Sequence, residues 1–140
     1  MNNEQTHEFT IYSRILGKSA PIPVVLAILL GVTPFLNISI GPIQGLVKLA
    51  IWVLAGVIYV NNFLPSGEKV SYINVAFNAA ILAGVADLIE ELIFWIVNTI
   101  QGIDYSAIGS STIATSFFQA IIVGGLVAVA WLFYKTNQKS

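Results

Sequence analysis

Apolar residues do not alternate with polar ones along this chain; they run on in four long blocks. The blocks extend from about Ala20 to Ile40, Ile43 to Val60, Ser71 to Ile100 and Thr112 to Tyr134. A helix needs about 20 mostly apolar residues to cross a bilayer, so each block reads as a transmembrane span. Strands of a membrane barrel would show stretches of about ten residues with alternating polarity, and these blocks do not. The connections are short or punctuated: Gly41-Pro42, then Asn61 to Gly67, then Gln101-Gly102-Ile103-Asp104 through Ser111. Connections this short force neighbouring helices to run antiparallel. The expected fold is therefore all-α: an integral membrane protein whose four transmembrane helices form an up-down antiparallel bundle over residues 20–134.

Residues 1–19 and 135–140 flank that domain. Within the first segment Phe9, Ile11, Tyr12, Ile15 and Leu16 are interleaved with Arg14 and Lys18. That spacing suits a short amphipathic helix lying on the membrane surface, and a plain polar tail is the alternative. Pro21 and Pro23 open the first span after a long polar stretch, unlike the start of a signal peptide.

Composition agrees with lipid as the solvent. Of the 140 residues, 56% are hydrophobic and 9% charged, with mean hydropathy +0.83. A soluble domain carries about 25% charged residues to cover its surface. Net charge is −1, with six Lys and Arg in all and no basic cluster. Nothing here tracks a phosphate backbone, so nucleic acid is not expected as a partner. Cysteine is absent and the single histidine, His7, precedes the spans. No cofactor and no metal are expected, since a metal site would have to be built from carboxylates alone.

The few positive charges set an orientation. Arg14 and Lys18 precede the first span, Lys69 separates the second and third, and Lys135 and Lys139 follow the fourth. The other two connections contain no Lys or Arg. The positive-inside bias then puts both termini on the cytoplasmic side of a multi-pass protein of the cell membrane.

One stretch is out of place. The third span carries Asp87, Glu90 and Glu91, and an acid at a span's centre costs about 2.5–3.5 kcal/mol on the insertion scale. At about 100° per residue the three share one helix face, with Glu91 about 40° to one side of Asp87 and Glu90 about 60° to the other. Ala80, Gly84, Phe94 and Asn98 continue that face. Lys48 on the second span lies about 7.5 Å from its outer end, and Glu91 about 10 Å from the outer end of the antiparallel third. A Lys48–Glu91 or Lys48–Glu90 ion pair is expected. One lysine leaves two carboxylates unbalanced, so without a cation or further partner at least one acid holds a proton. Asn98 and Gln119 are supporting polar candidates in the same half of the membrane, where Ser116, Thr33 and Asn37 also fall. Pro34 is expected to kink the first span, and Gly124-Gly125 with Ala120 and Ala128 to form a helix-contact face.

An enzyme is not expected, because no nucleophile has a base beside it in the pattern. Glu90-Glu91 is similar to the glutamate pair of CAAX-type intramembrane proteases. That motif ends in arginine, where Trp95 stands here, and no span contains histidine. Two functions fit the sequence. One is a non-catalytic subunit or helper of a larger membrane complex, which asks least of the residues. The other is a small homo-oligomeric cation- or proton-coupled transporter or channel using the intramembrane acids. The partners implied are the lipid bilayer and other membrane subunits or copies of itself.

Overall fold

The computed structural model describes residues 3–36, 41, 43–103 and 109–138. All regular structure among them is helical. The order is α1 (Asn3–Ser19), α2 (Pro21–Gly31), α3 (Ile43–Phe63), α4 (Tyr72–Ile100) and α5 (Gly109–Asn137), with one 3₁₀ turn, Leu64–Ser66, closing α3.

Among the described residues, two helical segments are long and apolar enough to cross a membrane, Ile43–Ser66 and Thr112–Asn137. The pair Phe9–Ser19 and Pro21–Gly31 adds a third such segment when taken together, although it bends by 45°. α4 has 29 residues, about 44 Å of helix. Its start is set by Ser71, an N-cap with extended backbone whose side-chain oxygen accepts from the Asn74 N–H.

The first apolar block is not one helix from 20 to 40. α2 stops at Gly31, and residues 32–36 form turns. Pro34 ends the helix rather than kinking it. Proline has no N–H to give and crowds the residue before it out of helical geometry. The bonds accordingly tighten to three-residue spacing, Thr33 N–H to Leu30 O and Phe35 N–H to Val32 O. Asn37 lies outside the described residues. The amino-terminal segment is helical, and Ile15 and Ser19 are buried against the end of α3. There Asn62 Nδ2 donates to Ser19 Oγ at 3.0 Å, and the Tyr12 and Phe63 rings stack at 5.8 Å.

α4 packs against α2, α3 and α5. It runs antiparallel to α5, since Tyr72 meets Thr136 at one end while Asp87 meets Ser116 further along. It is antiparallel to α3 as well, with Glu90 and Glu91 beside Gln44 and Lys48. Small residues allow the approach. A Cβ on Gly124 would lie 2.5 Å from Ala83 Cβ, and one on Gly56 would lie 2.8 Å from Gly124 O. Only a missing side chain lets these backbones sit so close, as in membrane helix seams. The expected contact face of α5 is present, with Ala120 and Ala128 fully buried along it.

The outside is apolar. Phe35, Leu46, Ile73, Phe77, Ile122 and Leu126 are among many large side chains left exposed. A surface of this kind is uncovered in water and suited to acyl chains.

Candidate functional site

The charged residues meet in one place. Lys48 projects from α3 between residues of α4, and its Nζ lies 3.3 Å from Asp87 Oδ1 and 2.9 Å from Glu90 Oε2. It also donates a hydrogen bond to Glu91 Oε1. The expected pair is therefore a four-member centre, with the ammonium shared by all three acids. Asp87 and Glu90 are each 2% exposed, and the Lys48 side chain 11%.

Helix geometry explains the convergence. Positions 87, 90 and 91 are spaced by three and four residues, so one turn of α4 turns all three inward. Gln44 stands one turn before Lys48 on α3, and its Nε2 donates to Glu90 Oε1 at 3.2 Å. From α5, Ser116 Oγ donates to Asp87 Oδ1 at 2.8 Å. Three helices thus contribute to the centre. α2 closes in from another side, where a Cβ on Gly31 would stand 2.9 Å from Glu90 O.

The two flanks of the centre differ. Ala27, Leu30, Ile51 and Ala86 form a buried apolar cluster on one flank, with Leu26 and Val47 packed against it. The other flank opens into a cavity of about 340 Å³, lined by Lys48, Glu91, Thr112, Thr115, Ser116 and Gln119. The described lining residues all have polar side chains, and the depression is broadly open rather than enclosed.

Charge and hydrogen bonding are incompletely balanced. Among the described residues Lys48 is the only cation in an ion pair, and it faces three carboxylates. Asp87 Oδ2 is buried with no hydrogen-bond partner among them. Glu90 Oε2 lies off the line of a hydrogen bond, yet its 2.9 Å separation from Nζ is a close charge pair. Oxygens of the three acids lie within 4.8 Å of one another, close enough to share one cation in the place the ammonium holds. Bringing a charge out of water costs several kcal/mol even after relaxation, by order of magnitude, so a two-charge excess calls for a proton or a cation.

The remaining candidates divide. Gln119 lines the cavity. Asn98 is buried but turns away, its Nδ2 donating to Phe94 O of its own helix at 2.7 Å. Thr33 likewise bonds to Leu30 O. Gln44, Thr112 and Thr115 were not anticipated. Gln44 had a visible signal, its four-residue spacing from Lys48; the threonines had none, sitting in a polar stretch that reads as a helix start.

No family model matches the chain, and no curated protein or solved structure matches it. The functional reading rests on the centre alone.

Proposed function

We propose that the chain crosses the bilayer four times as an up-down four-helix bundle with both termini in the cytoplasm. In this reading its charged centre takes up a proton or small cation, in a small homo-oligomeric transporter or channel. α3 and α5 supply two spans, α4 a third, and the first apolar block, which begins with α2, the fourth, with α1 lying along the cytoplasmic surface. Four spans enclose little volume, so a pathway across the membrane calls for two or more copies.

One observation carries this reading: carboxylates in excess of their lysine border an open depression lined by polar side chains, between helices with apolar exteriors. Ionisable groups inside a membrane domain persist where protein or water surrounds them and mark ion and proton pathways. The ammonium of Lys48 is then a tethered cation that an incoming one displaces, with the hydroxyls of Thr112 and Ser116 and the amide of Gln119 able to replace part of its hydration shell.

Uptake in proteoliposomes carrying a pH-sensitive dye and an imposed cation gradient tests it. The wild-type chain is expected to dissipate the gradient, and Asp87→Asn with Glu90→Gln and Glu91→Gln to abolish that. Equal dissipation by both proteins would end the proposal.

A non-catalytic subunit or helper of a larger membrane complex is the second reading. It is favoured by the way Lys48, Ser116 and Gln44 tie the acids to neighbouring helices, as a structural lock would. Gentle detergent extraction and mass spectrometry separate the two. A stoichiometric foreign partner supports the subunit, and copies of this chain alone support the transporter.

A further inference from the structure

A second cavity lies far along α3 from the charged centre, where α1 crosses the end of that helix. It measures about 450 Å³ and is walled on one side by α1 and on the other by Asn62, Pro65, Ser66 and Glu68. Arg14 and Lys18 stand four residues apart on α1, so both cations belong to one wall. Neither enters an ion pair among the described residues. The wall is held in place, since Ile15 is buried between them in sequence and Ser19 and Tyr12 are anchored to Asn62 and Phe63. Ile11, Ile15 and Pro65 give the same cavity an apolar side.

We propose that this cleft binds the phosphate of an anionic lipid headgroup. Two exposed cations on an anchored helix, without an ion pair among the described residues and facing hydroxyl and amide side chains, recognise a phosphate ester, the guanidinium through paired N–H donors and the ammonium as a point charge. The apolar side suits the start of an acyl-linked glycerol, which a free phosphate would leave uncovered. The cations flank the first apolar block, on the side where the positive-inside rule places anionic headgroups. Glu68, on the opposite wall, leaves a net charge of +1 and so selects a singly charged diester over a more highly charged group. The site does not depend on the acids of α4.

The test is native mass spectrometry of the full chain released from phosphatidylcholine nanodiscs doped with phosphatidylglycerol. Wild-type protein is expected to retain phosphatidylglycerol, and R14Q with K18Q to weaken retention about thirtyfold, from two cations each acting at the membrane surface. The charge-keeping pair R14K and K18R checks that the variants fold and should retain most of the lipid. K69Q with K135Q removes as much charge elsewhere, and an equal loss there would overturn the proposal by showing general attraction. Displacement of the lipid by glycerol 3-phosphate in the aqueous phase would overturn the lipid assignment. K48M should keep the lipid bound, which separates this site from the charged centre.

Discussion

The same three helices, α3, α4 and α5, are joined in two different ways within a few turns of each other. Around Gly124 the contact is dry and close: Gly56, Ala79, Ala83 and Gly124 bring backbones together with no room for a Cβ. Around Lys48 the contact is ionic and open, with four charged side chains and a polar cavity. In the proposed membrane setting, lipid tails are as apolar as the side chains, so the hydrophobic effect drives neither contact. The dry seam draws on van der Waals packing, which rewards small residues. The ionic centre offsets desolvation by mutual attraction, which works only if every partner is present. The seam should therefore respond to volume and the centre to charge balance.

Lys48→Met is the strongest way to break the comparison. It leaves buried acids uncompensated and should cost about 3–5 kcal/mol in mixed-micelle unfolding titrations. Adding Asp87→Asn, Glu90→Gln and Glu91→Gln to it should recover most of the loss, since a neutral replacement of a buried ion network is often tolerated. Failure to recover would show that shape, not charge, governs the centre.

Gly124→Ala sharpens the other half. Its new methyl would meet Ala83 at 2.5 Å, and overpacking of that kind costs about 1–3 kcal/mol. At the neighbouring Gly125 a Cβ would meet nothing nearer than 3.4 Å, so Gly125→Ala should change the thermal midpoint in detergent little or raise it. Equal losses at both glycines would remove close packing as the reason for the seam.

Ser116→Ala takes one hydrogen bond from Asp87 and should cost about 0.6–1.7 kcal/mol, the range of interhelical bonds in membranes. That loss should vanish once Asp87→Leu removes the acceptor, in a double-mutant cycle built on Lys48→Met. The smallest effect belongs to the dry side. Tyr59 is fully buried and its hydroxyl has no partner among the described residues. Tyr59→Phe should be neutral or stabilise by about 1 kcal/mol, because an unsatisfied buried hydroxyl is removed.

Much of this was legible in the residues. The extents of α3, α4 and α5 follow the apolar blocks to within a few positions, because continuous apolar runs of that length have one economical backbone. Lys48 and Glu91 were placed at matching depths by residue counting alone, and the structure joins them. The seam at Gly124 follows from small residues at four-residue spacing. Three things were not legible. Pro34 could kink or end a helix, and which happens depends on whether neighbours satisfy the freed carbonyls. Asn98 lies on the acid face, but a face does not fix a rotamer, and its amide chose its own helix. The depression belongs to no single helix; residues of α3, α4 and α5 line it together, and no periodicity reports it.

The reach of Lys48 has a mechanical corollary. Its ammonium touches carboxylates spread over one full turn of α4. Sliding α3 along α4 by one turn, about 5.4 Å, would carry it past all three together. The lysine thus indexes the two helices like a pin in a short slot. It leaves them free to shift by a fraction of a turn and holds them against anything larger until the pin is pulled.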